Sequence, residues 1–342
     1  MARNNYDIIC VGGGIGGSTV ARIMADAGRR VLVLEKVTAF KDRVRGEVTT
    51  PWGTVEAKKL GVYDLLQDTS GHALPWLDIH INGIPVVHRD MLSTTPESTP
   101  FYALSHPSMQ EVLLKAAEDS GAEVRRGLRV TNVTPGAPAL VNAACGKDKE
   151  TFHARLVVGA DGRASAARKW GGFKVEHDQD RLLVCGVLFD TMNVPTDTAN
   201  FRMNTEAGLM TFWFPQRNGN VRSYVVYQAD AGYRISGKKD VPRFIEESIK
   251  AGARAEEYTG AKAIGPLATF NGADNWVAQP FKEGLALIGD AAASSDAAWG
   301  EGLPLALLDA RMLTEQLMND DDWNAAGHRY ADAHDKNYDA VH

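Results

Sequence analysis

A glycine-rich turn near the start of the chain constrains its fold more strongly than any other feature. The turn follows a mostly apolar run, residues 6–11, and its glycines have the spacing G-x-G-x-x-G at Gly12, Gly14 and Gly17. This spacing is typical of a tight turn that brings the backbone close to a pyrophosphate and packs a helix closely on a strand. The helix that follows would direct its free N–H groups and positive dipole end at the phosphates.

An acidic residue stands where such a unit needs one. A second apolar run, residues 31–34, ends at Glu35, which lies 18 residues beyond Gly17. In dinucleotide-binding units, an acid at the tip of the second strand binds the ribose hydroxyls of the adenosine. The sequence therefore predicts a dinucleotide site here, with Ile15, Gly16 and Lys36 beside the motif positions. It leaves open whether the dinucleotide is FAD or NAD(P).

Composition argues against several classes of protein. With 342 residues, of which 44% are apolar, the chain can bury a full core in two domains or one elaborated domain. A formal net charge of −6 and the lack of long Lys or Arg runs argue against binding to nucleic acid. The longest apolar runs, such as residues 182–189, are far shorter than the ~20 residues of a membrane-spanning helix, and no signal peptide is evident. We therefore expect a cytoplasmic protein without a membrane span.

The cysteines and histidines do not predict a metal site or a disulfide framework. Cys10, Cys145 and Cys185 are widely spaced, and the nine histidines show neither H-x-x-x-H nor H-E-x-x-H spacing. Cys10 and Cys185 lie within apolar runs, where cysteine behaves as a small buried hydrophobic residue.

A charged loop, residues 41–47, follows the second strand. It is either a solvated loop, or its Arg43 or Arg45 reaches back to the cofactor phosphates, because a guanidinium binds phosphate through two hydrogen bonds. A helix is then predicted over residues 52–66. Another is predicted to begin near Ser105, and Gln110 lies beside its apolar stripe, either at the helix edge or facing the cofactor.

Two segments, residues 75–102 and 181–270, have the short alternating runs of β-strands. Asn218-Gly219 indicates a hairpin, and residues 264–270 are predicted to return as a strand. Such a sheet could form the wall of an aromatic pocket, although alternation places about half of its aromatic residues in the plain core. The aromatic residues concerned are Phe212, Trp213, Phe214, Tyr224 and Tyr227.

Two later buried strands end abruptly in acidic turns. One, at residues 155–160, is followed by Asp161 in an Asp-Gly turn, and the other, at residues 284–289, is followed by Asp290. Ligands gather at the carboxyl ends of parallel strands, so both acids are candidates for the site. A glycine turn and a helix over residues 303–318 follow Asp290, and the last helix, residues 323–338, has no evident partner.

Together, these motifs resemble the three fingerprints of the single-component (group A) FAD-dependent aromatic hydroxylases, the p-hydroxybenzoate-hydroxylase-like flavoprotein monooxygenases. The resemblance covers nearly the whole chain and keeps the order and rough spacing of the motifs: residues 12–17 with Glu35, 159–163, and 287–292.

The resemblance implies an α/β fold in which a doubly wound, Rossmann-like FAD-binding domain of the GR2 type carries an inserted, mostly antiparallel β-sheet domain for the substrate. The FAD-binding domain would be discontinuous and comprise residues 1–74, 103–180 and 271–342. The substrate domain would comprise residues 75–102 and 181–270.

The resemblance also implies roles for individual residues. The three motif glycines would bind the FAD pyrophosphate and Glu35 the adenosine ribose, while Arg45 and Gln110 match the family's loop arginine and the glutamine beneath the cofactor. Asp161 matches the Asp-Gly motif linked to FAD and NAD(P)H, and Asp290 the acid near the ribityl and phosphate groups. The backbone at Gly300, Gly302 and Leu303 would face the pyrimidine edge of the flavin. Candidate pocket residues are Trp52, Trp213, Tyr224, Tyr227 and Trp299.

Two segments depart from the family pattern. Ala293 stands where the family often has histidine, and Glu301 gives Gly-Glu-Gly where the family has Gly-Gln-Gly preceded by proline. Gly-Glu-Gly also occurs in related polyprenyl reductases.

The resemblance implies an FAD-dependent monooxygenase that hydroxylates or epoxidises an electron-rich, aromatic small molecule through a flavin C4a-hydroperoxide. NAD(P)H would be a transient reductant, because the chain has only one G-x-G-x-x-G unit. No side-chain base is identified. The alternatives are an FAD-dependent reductase of a polyprenyl or other double bond and a non-catalytic FAD-fold scaffold; a homodimer stays open.

Overall fold

The computed structural model describes residues 4–44 and 46–342. Its helices are α1 (Ile15–Asp26), α2 (Pro51–Lys59), α3 (Tyr63–Thr69), α4 (Met91–Thr94), α5 (His106–Asp119), α6 (Ala167–Trp170), α7 (Val241–Lys250), α8 (Gly302–Asn319) and α9 (Trp323–Val341). Its strands are β1 (Asn5–Val11), β2 (Val31–Glu35), β3 (Val48–Thr49), β4 (Gly71–Leu74), β5 (Trp76–Ile81), β6 (Ile84–Asp90), β7 (Phe101–Leu104), β8 (Glu123–Arg126), β9 (Arg129–Thr134), β10 (Ala139–Cys145), β11 (Asp148–Gly159), β12 (Glu176–His177), β13 (Leu182–Phe189), β14 (Thr198–Asn204), β15 (Leu209–Pro215), β16 (Val221–Gln228), β17 (Ala268–Asn271), β18 (Asn275–Trp276), β19 (Phe281–Lys282), β20 (Leu285–Leu287) and β21 (Ala293–Ser294).

A largely parallel sheet forms the centre of the fold. Its strands run in the order β19-β20-β11-β1-β2-β8, and β1 pairs in parallel with both β11 and β2. Helices α1, α5, α8 and α9 cover one face, where Ile8 and Cys10 of β1 pack against them. The other face, with Ile9 and Val11, packs against the antiparallel extension β9-β10-β11. The continuous burial of residues 8–11 explains the uninterrupted apolar run at the end of β1.

A second sheet of seven strands has the order β17-β13-β16-β15-β14-β5-β6. All its pairings are antiparallel except that of β14 with β5. Strands β5 and β6 of residues 75–102 and strands of residues 181–270 thus share one sheet, whereas β7 pairs with β3 and β4, and the domain bounds stay a prediction. The predicted α/β fold class, with a parallel sheet and a mostly antiparallel one, is confirmed.

Local predictions differ from the structure in two places. The single helix expected over residues 52–66 is two helices, α2 and α3, because the chain turns at Gly61, which has a positive φ of 65°. The strand expected over residues 264–270 is shorter and later, at Ala268–Asn271. The predicted hairpin at Asn218-Gly219 does connect β15 with β16.

The C-terminal helix α9 does have a partner, because it packs against α8 and the end of the parallel sheet. Its buried Tyr330 donates to the carbonyl of Leu287 (2.7 Å), and His334 Nδ1 lies 2.8 Å from Asp309 Oδ1 of α8. Asp309 Oδ2 in turn accepts from the backbone N–H of Gly289 (2.7 Å). Burial disfavours the imidazolium, but the Asp309 carboxylate outweighs it and raises the pKa of His334. This buried pair therefore connects α9 to the strand end that precedes Asp290.

Replacement of His334 by leucine should destabilise the protein, because it leaves the buried Asp309 carboxylate without its hydrogen-bond partner on α9. We expect the free energy of unfolding to fall by about 3 kcal/mol in denaturant titrations. Adding Asp309→Asn should recover part of this loss, since the neutral amide oxygen still accepts from Gly289. A double variant less stable than His334→Leu alone would contradict the buried-charge explanation.

Candidate functional site: a dinucleotide cavity continuous with an aromatic pocket

A cavity of about 660 Å³ runs along the carboxyl edge of the parallel sheet. Its lining includes residues that follow the ends of four strands: Gly12 after β1, Glu35 at the end of β2, Asp161 after β11 and Asp290 after β20. Ligands of open α/β sheets bind at this edge. The fold therefore brings together three motifs that are up to 278 residues apart in the sequence.

The three motif positions need glycine for different physical reasons. A Cβ at Gly12, which has a φ of +103°, would lie 2.5 Å from the carbonyl oxygen of Ala160, and a Cβ at Gly17 would lie 2.1 Å from the carbonyl oxygen of Gly12. A Cβ at Gly14 would instead meet only Gln110 Nε2, at 3.8 Å. Gly12 and Gly17 are therefore required by backbone packing, whereas Gly14 keeps the cavity surface open.

The N-terminus of α1 lies at the cavity, which Gly14, Ile15 and Gly16 line. Gly14 is the N-cap residue and supplies no side-chain acceptor to the first turn. The first N–H groups of a helix have no partner within the helix, and the dipole makes its N-terminus favourable for an anion. A phosphate could therefore bind here, as the sequence predicts.

Glu35 is buried and held by the backbone. Its Oε2 accepts from the N–H of Gly13 and its Oε1 from the N–H of Val37, both at 2.9 Å. A carboxylate offers about four acceptor positions, so it can still accept from a hydroxyl group in the cavity. The neighbouring Lys36 and the more distant Arg129 also line the cavity.

Several buried polar atoms of the lining lack a partner among the described residues. Asp161 Oδ2 accepts from the N–H groups of Ala166 (2.7 Å) and Ala167 (3.2 Å), but its Oδ1 has no partner. The buried hydroxyl oxygens of Ser294 and Ser295 also have no hydrogen-bond partner among the described residues. A buried polar group without a hydrogen bond costs about 1–3 kcal/mol, which a bound polar ligand can offset. This donor and acceptor set fits a hydroxyl-rich dinucleotide such as FAD.

The Asp290 turn is supported by an arginine that sequence analysis missed. Arg168 is buried, and its guanidinium donates to the carbonyl oxygens of Ala291 (Nε, 2.6 Å) and Asp290. Burial lowers the pKa of Arg168, while Asp290 and Asp161 oppose that shift. A Cβ at Gly302 would lie 3.8 Å from Asp290 Oδ1, so the acid lies beside the N-terminus of α8.

The glycine turn before α8 also borders the cavity, through Gly300, Gly302 and Leu303. Trp299 lies at the rim with 72% of its surface exposed. Trp52 does not line the cavity; its Nε1 donates to Glu301 Oε2 (2.7 Å) behind the turn. Burial raises the pKa of Glu301, and the hydrogen bond from Trp52 partly opposes this shift.

The predicted role of Arg45 lies outside the described residues and stays a prediction. Arg43 does line the cavity. The interpretation of residues 41–47 as a solvated loop is wrong for Val44 and Glu47, because both side chains are buried.

Aromatic side chains of the seven-stranded sheet form the other end of the cavity. Phe212 of β15 and Tyr224 of β16 are cross-strand neighbours with ring centroids 5.2 Å apart, and Phe214 and Phe201 pack beside them. Phe101 also borders this space. We call these five residues, Phe101, Phe201, Phe212, Phe214 and Tyr224, the aromatic box.

Two of the predicted pocket residues lie on the opposite face of this sheet. Trp213 is one residue from Phe212, and Tyr227 is three residues from Tyr224, so alternation points both away from the cavity. Trp213 is fully buried under the guanidinium of Arg202, and the hydroxyl of Tyr227 accepts from the N–H of Ile235 (3.1 Å). Neither lines the cavity, so both are core residues rather than pocket residues.

A buried charged cluster borders the aromatic box, and sequence analysis missed it. Arg222 is fully buried, and its Nη2 donates to Asp42 Oδ2 and Glu47 Oε1, both at 2.8 Å. Tyr224 donates from its hydroxyl to Glu47 Oε2 (3.2 Å). Burial raises the pKa of Glu47 to about 7 despite the opposing charge of Arg222, and Asp42 adds to the increase. An arginine within the apolar strand β16 was the available signal, because such a charge needs a buried partner.

Within the described residues, no helix combines the length and apolar character needed to cross a bilayer. The same part of the chain contains no cluster of three or more His, Cys, Asp or Glu side chains that could hold a metal ion. Cys10 and Cys185 are buried, whereas Cys145 is exposed.

Comparison with known proteins identifies relatives over most of the chain. A family model described as FAD binding domain matches residues 5–328. A digeranylgeranylglycerophospholipid reductase from Methanosphaerula palustris is 26% identical over 338 residues, covering 92% of this chain and 76% of the relative. A 6-methylpretetramide 4-monooxygenase from Streptomyces rimosus is 27% identical over 315 residues, covering 89% of this chain and 73% of the relative.

A solved structure has the same fold. The crystal structure of p-nitrophenol 4-monooxygenase PnpA from Pseudomonas putida superposes with a TM-score of 0.79 at 20% identity and covers 92% of this chain and 80% of that protein. These matches confirm the family resemblance drawn from the three sequence motifs.

Two alanine substitutions in the glycine turn should have different effects. In Gly17→Ala the new methyl group collides with the backbone of Gly12, so we expect a lower melting temperature even without cofactor. In Gly14→Ala the methyl group enters the cavity only, so the melting temperature of the apoprotein should stay unchanged while FAD affinity, measured by flavin fluorescence, falls at least tenfold. Equal destabilisation of the two apoproteins would contradict this distinction.

Glu47 should make stability depend on pH. Its carboxyl keeps its proton to a higher pH in the folded state, about 7, than its ordinary value of 4.5. Between these values the folded state binds more protons, so the contribution of Glu47 to stability falls as pH rises. Denaturant titrations should therefore show the unfolding free energy of the wild type falling relative to Glu47→Gln between pH 4.5 and 7. Exposed Glu97→Gln is the control; a constant difference for Glu47→Gln would refute the shift.

Proposed function

Because this chain belongs to the FAD-binding-domain family, we propose that it is an FAD-dependent monooxygenase that uses NAD(P)H and O₂ to hydroxylate an electron-rich aromatic small molecule. One observation carries the proposal: the aromatic box lines the same cavity as Gly12, Glu35, Asp161 and Asp290. A planar ring in the box would therefore lie next to a dinucleotide bound along the sheet edge.

The residues of this chain would hold and enclose the reactants. The N–H groups at the start of α1 would bind the pyrophosphate, and Glu35 and the unpaired Oδ1 of Asp161 would accept from hydroxyl groups. The N-terminus of α8, at Gly302, would stabilise negative charge at the pyrimidine edge of the cofactor. Bound FAD would supply the reaction with O₂, and the protein its binding and orientation.

The aromatic box would orient the substrate and exclude water. Phe212 and Tyr224 are 4% and 6% exposed, so their faces offer apolar contact area with little access to solvent. Pairs of aromatic rings contribute roughly 0.5–1.5 kcal/mol beyond the burial of their area. An aromatic substrate would therefore bind better than an aliphatic one of the same size.

A second candidate function is the reduction of a polyprenyl double bond. It is favoured by the digeranylgeranylglycerophospholipid reductase among the relatives and by the Gly-Glu-Gly sequence at residues 300–302. The carboxyl group of Glu47, which lines the cavity beside the box, disfavours it, because an isoprenoid chain offers that group no hydrogen bond.

The test is to purify the protein, record the flavin spectrum, and follow NAD(P)H and O₂ consumption with phenols, polycyclic aromatics and a geranylgeranyl lipid. We expect bound flavin and O₂ uptake stimulated by an aromatic compound. Phe212→Ala removes one wall of the box and should raise KM for that compound about tenfold, consistent with losing ~1.5 kcal/mol of apolar contact. Trp213→Phe, on the opposite face, is the matched control.

The outcomes separate the three candidate functions. Flavin reduction with lipid saturation and no O₂ uptake would favour the reductase. Failure to bind FAD even on reconstitution would leave only a scaffold that keeps the fold without the cofactor.

A further inference from the structure

Glu301 is the residue of the glycine turn that the proposed function leaves without a role. It is the N-cap residue of α8, but its side chain makes no cap hydrogen bond to the first turn of that helix. Its neighbours Gly300, Gly302 and Leu303 line the cavity, whereas Glu301 does not. Its carboxylate therefore lies behind the turn, away from the cavity but at the helix end that borders it.

Two side chains at the start of α2 hold this carboxylate. Glu301 Oε2 accepts from Trp52 Nε1 (2.7 Å) and from Thr50 Oγ1 (3.4 Å). The two helices pack so closely that a Cβ at Gly53 of α2 would lie 2.6 Å from Pro304 Cγ of α8. Hydrogen bonds and helix packing together therefore fix the carboxylate relative to the first turn of α8.

No positive side chain compensates Glu301 in the described part of the chain. Burial raises the pKa of Glu301, and the hydrogen bonds from Trp52 and Thr50 partly oppose this shift; no neighbouring charge contributes. A carboxylate at a helix N-terminus is stabilised by the helix dipole. The start of α8 and the two donors therefore favour the ionised form of Glu301.

Titratable groups on the elements around the turn are engaged elsewhere. Glu56 of α2 pairs with Arg311 of α8, and Tyr338 of α9 donates to Asp274 (3.0 Å). Asp290 faces the cavity. The charge of the glutamate is therefore the one that the glycine turn places directly behind the start of α8.

A buried hydroxyl near the start of α8 independently indicates a ligand at this end of the cavity. Ala293 packs with Leu305 of α8, and the next residue, Ser294, is buried and lines the cavity. The Ser294 hydroxyl has no partner among residues 4–44 and 46–342. An unpaired buried hydroxyl is costly, so we expect a polar group of a bound ligand to pair with it.

We propose that Glu301 lowers the reduction potential of FAD bound at the start of α8. Hydride transfer from NAD(P)H breaks one nicotinamide C–H bond and moves its electron pair and hydrogen to the flavin. The flavin gains one negative charge, and the nicotinamide becomes the oxidised cation. The N–H groups at the start of α8 stabilise the new charge, whereas the Glu301 carboxylate opposes it through the same helix end.

Glu301 exchanges no atom in this step and is a positioning residue. The inference rests on the proposed function for the binding of FAD at this place. A lower potential makes the reduced cofactor a stronger reductant, which serves electron transfer to O₂ and to a carbon–carbon double bond alike. The Gly-Gln-Gly of the family pattern would offer Trp52 the same acceptor without the charge.

The test measures the midpoint potential of the FAD-loaded protein by equilibration with a reference dye in the absence of O₂. Glu301→Gln keeps an oxygen that accepts from Trp52 and Thr50 but removes the charge. At about pH 8 we expect its reduction equilibrium to be at least tenfold more favourable than that of the wild type, which is about 30 mV for a two-electron couple.

Glu315→Gln is the matched control. It removes the same charge from the same helix, about 21 Å further along its axis, which exceeds the distance over which salt screens exposed charges. We expect its midpoint potential to equal that of the wild type.

A pH series separates charge from structure. As pH falls, Glu301 takes up a proton, so the difference between the wild type and Glu301→Gln should disappear, whereas a purely structural effect would persist. Trp52→Phe removes a hydrogen bond that favours the ionised form and so raises the pKa of Glu301. Its potential should exceed that of the wild type only where Glu301 titrates, which decides the question if Glu301→Gln does not bind FAD.

Three results would overturn the proposal: equal potentials of the wild type and Glu301→Gln at about pH 8, a difference that persists at acid pH, or the same shift in Glu315→Gln. A protein that binds no FAD overturns this role of Glu301 and the proposed function together. If FAD binds and its potential does not respond to Glu301, only the role of Glu301 is refuted. If the potential responds but no aromatic compound stimulates O₂ uptake, only the monooxygenase proposal fails.

Discussion

The parallel pairing of β1 with β11 and β2 is the constraint on which the rest of the molecule depends. Each strand ends at the same edge of the sheet, so the glycine turn, Glu35 and Asp161 are brought to one surface by backbone hydrogen bonds alone. The contact between Gly12 and the carbonyl of Ala160 fixes how closely two of these turns approach. Apolar side chains of β1 are buried on both faces of the sheet. A hydrophobic core on each face therefore fixes the position of this edge.

Local sequence was sufficient to predict much of this edge. Glycine spacing, buried strands that end in an acid, and the position of Glu35 depend on neighbours within a few residues or on a single βαβ unit. These local features predicted the α/β fold class, which is confirmed, and several of the residues that line the cavity. In the second sheet, alternation alone could separate Phe212 from Trp213, but it could not say which of the two faces the cavity, because both faces of that sheet are apolar.

The parts that could not be predicted depend on partners far apart in the chain. Arg222 meets Glu47 across 175 residues, and His334 meets Asp309 on another helix. Neither pair follows a spacing rule, since the partners are set by how sheets and helices pack. The length of α2 was also missed. The apolar spacing typical of a helix continues across Gly61, whereas the helical conformation of the backbone ends at Lys59. Buried charges in apolar strands are the residues for which sequence reasoning should expect a distant partner.

The order of the strands in the central sheet has a consequence for synthesis of the protein. The glycine turn and Glu35 leave the ribosome long before β11 and β20. Strand β11 pairs with the second edge of β1, and β20 pairs with β11 on the same side of the sheet. During this interval β1 pairs only with β2. The backbone N–H and C=O groups along its other edge have no partner strand. A nascent chain would therefore expose the glycine turn before the cavity around it exists, so FAD would bind only as the last segments fold and would stabilise them in place.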